Sequence, residues 1–165
     1  MKAFMTTGTF SFLIKLLDKY PHISFSLMSN ATNTLLYYEN EKKNVFASGR
    51  AYEVLTMSGQ MQKEGYVSMN HIPVADEGKP VFEDHFKRNL SSLQNFLGFQ
   101  TFRLLKPRKG NMYVVITQWN SEKSFKLWKS SESYTQLHDP TKTMPPAYFL
   151  ERPFHATYTM TILEE

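Results

Sequence analysis

The sequence predicts an α+β protein whose C-terminal part runs β-α-β-β-α-β and whose N-terminal part supplies a second, shorter α+β half. Three observations predict this. A helical stripe of Phe82, Phe86, Leu90, Leu93 and Leu97, at spacings of four, four, three and four, lies between two strand-like runs. A second helical pattern lies between two further strand-like runs. Residues 1–65 repeat the alternation of strand and helix in a less complete form. With 165 residues, of which 41% are hydrophobic, the chain can fill one core or two half-domains sharing one.

The N-terminal half, 1–65, reads as a strand (Lys2–Thr7), a helix (Phe10–Lys19) and strands near Ile23–Met28, Leu35–Glu39 and Ala51–Met57. The C-terminal domain, 66–165, opens with a strand over Tyr66–Val74, ended by Pro73 and the turn residues Asp76 and Gly78. Pro80 suits the first turn of a helix that carries the apolar stripe, and Gly98 is placed to end it. Phe99–Lys106 and Met112–Trp119 are strands joined by a turn at Pro107–Gly110. Asn120 and Ser121 can cap one continuous helix through Phe125, Trp128 and Tyr134 to His138, where Pro140 makes continuation difficult. Residues 139–154 hold four prolines and read as a loop. The final strand alternates Ala156, Tyr158, Met160 and Ile162 with threonines. The order is the ferredoxin-like one, whose two helices cover one face of a four-stranded sheet. The uncovered face calls for a partner layer, so two sheets packed face to face within one chain are expected.

Composition narrows the chemistry. The absence of cysteine excludes disulfides, thiolate metal sites, Fe–S clusters and cysteine nucleophiles. No basic stretch leads into an apolar core at the N-terminus, and no apolar run approaches a bilayer span, so a soluble cytoplasmic protein without membrane attachment is expected. The net charge of +4 is spread evenly, seven basic against five acidic residues in 1–69 and twelve against ten in 70–165, which is not a nucleic-acid footprint. Arg103, Lys106, Arg108 and Lys109 form the tightest cluster. They suit a solvated hairpin turn, or a landing place for the carboxylates or phosphates of a ligand.

No GxGxxG, P-loop, HExxH or Gly-x-Ser-x-Gly motif is present, and no pair of carboxylates suggests general acid–base work. Three residues remain. Asn70 lies inside a strand, where asparagine is depleted, so it is either a strand-end or bulge residue or a functional one. Trp128 suits the core of an amphipathic helix. His138 ends that helix, on the stripe of Ser131 and Tyr134. It can cap the helix dipole, or serve in neutral form as a metal ligand. Ten residues at about 100° each would set Trp128 and His138 on adjacent walls of one site. His71 should face away from Asn70, and His22, His85 and His155 lack ligand spacing, which disfavours a tetrahedral zinc site.

Asn70 on the first strand, Trp128 on the second helix and His138 ten residues later resemble the Asn-Trp-His triad of the IsdG-type haem-degrading monooxygenases. These carry an antibiotic biosynthesis monooxygenase (ABM) domain and belong to the dimeric α+β barrel superfamily. The likeness covers about residues 66–163 and includes Gly98–Pro107 and Trp119–Lys129. It implies His138 as the axial ligand to haem iron, and Asn70 as a hydrogen-bond donor on the oxygen side. Trp128 would press on the porphyrin and ruffle it. Haem would be both substrate and cofactor, with electrons from an external reductase or small reductant, ring opening by O₂, and release of iron. Because the chain brings its own second half, the resemblance implies a fold like the dimeric α+β barrel within one chain, and a monomer in place of the family's dimer. Two other readings stay open: a cofactor-independent quinol or polyketide monooxygenase, and a non-catalytic haem-binding or regulatory module.

Overall fold

The computed structural model describes residues 1–138 and 144–163, with the side chains of all of these except Gln136 and His138. The first half runs β1 (Lys2–Gly8), α1 (Phe10–Lys19), β2 (Ser26–Ser29), β3 (Thr34–Asn40) and β4 (Arg50–Ser58). The second begins with β5 (Tyr66–Pro73), followed by α2 (Lys79–Asn89) and the short α3 (Ser91–Gln94). It continues with β6 (Phe99–Pro107), β7 (Met112–Trp119), α4 (Glu122–Lys129), α5 (Glu132–His138) and β8 (Phe154–Met160).

The strands pair antiparallel in the closed order β1-β3-β2-β8-β5-β7-β6-β4. This corrects the expectation, drawn from layering, of two separate sheets packed face to face, and agrees with the barrel within one chain that the resemblance implies. The edge strands of the two halves hydrogen-bond to each other, β2 to β8 through Met28↔Met160 and Ser29↔Thr159, and β4 to β6 from Tyr52↔Pro107 to Ser58↔Phe102. Closure leaves no unpaired edge in the sheet. Asn30 reinforces the short β2–β8 seam, its Nδ2 donating to the Thr157 carbonyl at 2.9 Å.

The period-2 alternation divides the core. Ala3, Met5, Tyr37, Val67, Met69, Ile116 and Tyr158 face the barrel interior, so both halves fill it. On the outside of the second half, Ile72, Val115 and Trp119 meet Phe82 and Phe86 of α2, Leu93 of α3 and Phe125 and Trp128 of α4. The apolar stripe of α2 and α3 is buried as its spacing predicts, up to Leu93, whereas Leu97 lies in the following turn and is exposed.

The helix expected to run on to His138 is broken, and the cause is local. Ser130 Oγ donates to the Lys126 carbonyl at 3.2 Å, and Ser131 Oγ donates to the Trp128 carbonyl at 2.6 Å, satisfying the end of α4. The same Ser131 Oγ accepts from Tyr134 N at 3.3 Å and so caps α5. The angular relation of Trp128 to His138 on a single helix therefore does not apply. Among the described residues no helix is long and apolar enough to cross a membrane.

Candidate functional site

β5 places Asn70 on the outer face of the barrel, beneath the helical layer. Its cross-strand neighbours are Val115 on β7 and His155 on β8. The strand position is regular, with pairing from Tyr66 to Pro73 on the β7 side, so Asn70 is neither a strand end nor a bulge residue. Its side chain is half-buried, and its amide makes no hydrogen bond among the described residues. A partly exposed carboxamide with two donors and an acceptor, making no hydrogen bond among the described residues, is free to bond solvent or a ligand.

Register builds the rest of this wall. His155 shares the outer face with Asn70, and its Nε2 lies 2.6 Å from Ser68 Oγ. The His155 ring stacks on Phe125, with centroids 5.9 Å apart and planes 15° from parallel. Burial, followed by the charge of Lys129, lowers the pKa of His155, which keeps the imidazole neutral near pH 7. Phe125 packs on Trp128 at 6.2 Å, and Trp128 also meets Trp119 at 5.0 Å and Tyr134 edge-on at 4.9 Å. Asn70 and Trp128 thus belong to one outer layer, bridged by His155 and Phe125. Trp128 is fully buried, so a planar ligand reaches its ring only when part of its cover moves.

His138 ends α5, and its side chain lies outside the described residues. The preceding residue is anchored from α2. His85 Nε2 lies 2.9 Å from the buried Leu137 carbonyl, which can only accept, so Nε2 carries the proton. Nδ1 is then the acceptor facing Asn89 Nδ2 at 3.4 Å, and Asn89 Nδ2 also donates to the His85 carbonyl at 2.7 Å. His85, Ser68 and His155 were not singled out by spacing. Their roles depend on helix packing and on the β5–β8 register, neither of which a single-sequence pattern encodes.

His71 faces the barrel interior, opposite Asn70 as alternation requires. It is buried and stacks on Phe154 with centroids 4.3 Å apart. Burial, then Arg50 and His155, pull its pKa down to about 4. No group of three or more His, Cys, Asp or Glu side chains able to hold a metal occurs among the described residues.

The basic cluster is divided by the fold, which corrects its reading as one hairpin patch. Arg103 is buried inside the barrel, where Nε donates to Glu39 Oε2 at 2.6 Å and Nη1 donates to the Phe102 carbonyl at 2.8 Å. Tyr37 OH donates to the same Glu39 Oε2 at 2.6 Å. Arg103 neighbours Ile116 across the sheet, on an inward-facing register, so it is saturated and unavailable to a ligand carboxylate. Lys106 pairs with Glu83 at 3.2 Å. Only Arg108 and Lys109 remain at the turn, without carboxylate partners among the described residues.

Residues 65–140 match the antibiotic biosynthesis monooxygenase family. The chain is similar to a haem-degrading monooxygenase of Listeria monocytogenes, 33% identical over 130 residues that cover 79% of this chain and 78% of that protein. It is also similar to the signal transduction protein TRAP of Staphylococcus epidermidis, 25% identical over 160 residues that cover 96% and 93% of the two chains. The solved structure of LmHde, a haem-degrading enzyme of Listeria monocytogenes, superimposes with a TM-score of 0.77 at 27% identity, covering 96% of this chain and 99% of that one. A major regulator of staphylococcal pathogenesis has the same fold, with a TM-score of 0.88 at 22% identity over 99% of this chain and 100% of that one. With this fold, this match and a Listeria relative aligned over most of both lengths, the chain belongs to the antibiotic biosynthesis monooxygenase family.

Proposed function

We propose that this protein is a haem-degrading monooxygenase whose site lies on the outer face of β5, beneath α4 and α5. The observation that carries the proposal is the unpartnered amide of Asn70, half-buried on an apolar face that it shares with His155 and the Phe125–Trp128 pair. The relation to the Listeria enzyme supports haem as the molecule involved. The donor set fits haem: an imidazole from His138, a carboxamide from Asn70, an aromatic wall and no competing thiolate. When bound, haem supplies the iron that activates O₂ and is itself the substrate, with electrons drawn from an external reductant. His138 would hold the iron, while the His85 contact to Leu137 fixes the backbone beside it. Asn70 Nδ2 would offer a hydrogen-bond donor to the bound ligand. Trp128 would set the shape of the apolar wall.

A second reading, a haem-responsive module without turnover, is favoured by the likeness to TRAP and by the complete burial of Trp128. Titration of the apoprotein with haemin, followed by ascorbate in air, separates the two. The enzyme shows a Soret band that saturates at one haem per chain and then bleaches as iron is released. A stable band under several reductants leaves the binding module, and no specific band removes both. His138→Ala is expected to weaken binding at least tenfold. Asn70→Ala should retain binding within about threefold while slowing bleaching at least tenfold, a difference of about 1.4 kcal/mol or more in the barrier.

A further inference from the structure

The strand order of the two halves is the same. Taken in each half's own sequence, the second strand pairs with the third, the third with the first and the first with the fourth: β2-β3-β1-β4 and β6-β7-β5-β8. Each half also places helix between its first and second strands. Between the third and fourth strands the second half has α4 and α5, whereas the first has only residues 41–49. Where that helix is missing, a cavity of about 600 Å³ opens against β1, β4 and the β6–β7 turn.

Four separate segments bring cations to this cavity: Lys2, Lys42 with Lys43, Arg50, and Arg108 with Lys109. No carboxylate lines it, and none of the six has a carboxylate within 4.0 Å among the described residues. Lys79, Arg88, Arg103, Lys106 and Lys126 have carboxylate partners, but others, Lys15, Lys87 and Lys123 included, have none among the described residues, so what sets the six apart is their convergence on one cavity. Lys2 and Arg108 also border an adjoining cavity with Glu41 and Glu53, and Glu41 is engaged by the N-terminal ammonium at 3.1 Å. The floor is apolar, with Phe4, Ala51, Tyr52, Pro107 and Met112. The connection that carries Lys42 and Lys43 is pinned: Phe46 is buried against Phe25 and Tyr38, Val45 N donates to Tyr38 OH at 2.9 Å, and Tyr38 OH donates to the Lys43 carbonyl. Like charges gathered in one concavity repel until an anion joins them, and two guanidinium forks among lysine point charges suit phosphate oxygens. No histidine lines the cavity, which separates it from the site proposed for haem.

We propose that this cavity is a second ligand site, taking a small organic polyphosphate whose charged end meets the six cations and whose apolar body rests on the floor. The assignment does not depend on the haem reading. Calorimetric titration of the full chain in 100 mM salt with ATP, tripolyphosphate and adenosine tests it. ATP should bind saturably at one site per chain, tripolyphosphate more weakly and adenosine not measurably. The exposed-lysine variant K42A/K43A/K109A should lose ATP affinity at least tenfold. K15A/K87A/K123A, which removes the same charge elsewhere, should change it less than twofold. Equal losses in the two variants, tripolyphosphate binding as tightly as ATP, or no saturable ATP binding would each overturn the proposal.

Discussion

At the residue scale, two neighbours on one strand do opposite things because alternation sends them to opposite faces. Asn70 meets the helical layer with its amide unspent, while His71 is buried on the barrel side in its neutral form. The depressed pKa of His71 has a definite consequence for stability. Above pH 6.5 both the folded and unfolded states hold a neutral imidazole, and the shift costs nothing. As pH falls from 6.5 towards 4, the unfolded chain takes up a proton that the folded chain does not, so stability drops. The loss at pH 4 is up to about 3 kcal/mol from this residue. His155 is shifted in the same direction and adds to the slope. Urea unfolding of the wild type and His71→Leu across pH 4–7 checks this. The variant should show a markedly flatter dependence, and an unchanged slope would assign the acid sensitivity elsewhere.

At the element scale, chain reversals and tethers set where the site residues sit. Gly98 has φ +87°, and a Cβ there would lie 2.3 Å from Ser124 Oγ and 2.6 Å from Asn120 Oδ1, the groups that start α4. Gly110 has φ +85°, and a Cβ there would meet nothing within 4 Å, so a side chain at this turn bears the backbone cost alone. Gly110→Ala should therefore lower stability by about 1 kcal/mol and Gly98→Ala by about 2–3 kcal/mol, measured by urea denaturation. Equal effects would show that α4 yields without cost. His85 makes a second test. His85→Ala removes the donor to the Leu137 carbonyl at the end of α5. It should weaken haemin binding about three- to tenfold at a stability cost near 1 kcal/mol. His85→Gln, which restores an N–H donor, should recover most of the affinity, whereas failure of that rescue would argue against the tether.

At the scale of the whole molecule, the barrel interior makes the two halves interdependent. Met5, Leu35, Tyr37 and Tyr52 pack with Met69, Val114, Ile116 and Tyr158 in one cluster. Neither half encloses that cluster alone, so a single cooperative urea transition is expected, and the separate fragment 66–165 should lack it. Because every strand finds both partners within one chain, no sheet edge is left to recruit a second copy. Sedimentation equilibrium should give the mass of one chain, and a dimer would overturn that expectation. Coincident unfolding by tyrosine and tryptophan fluorescence makes a further check. Both tryptophans, Trp119 and Trp128, lie in the second half, so a resolved early phase without tryptophan change would show independent halves.

Local patterning specified the kind and order of the elements. Period-2 and period-3.6 patterns, together with Gly, Pro and Ser at their ends, are properties of neighbouring residues, and they placed α1 and β5 to β7 within a residue or two. They also separated Asn70 from His71, since alternation needs no partner strand. Whatever depends on pairing at a distance was settled only in the folded chain. The closure of two expected sheets into one barrel rests on edge pairing between β2 and β8 and between β4 and β6. Arg103 is internal because its β6 register turns it towards Glu39, while Lys106, three residues on, remains near the surface with Glu83. His155 joins the Asn70 wall through β8 register, and His85 reaches Leu137 through helix packing. Ser130 and Ser131 could each continue a helix or end one, and their hydrogen bonds to the Lys126 and Trp128 carbonyls fixed the break. Short-range periodicity is written in neighbouring residues, whereas register, closure and convergence of charge arise only when distant segments meet.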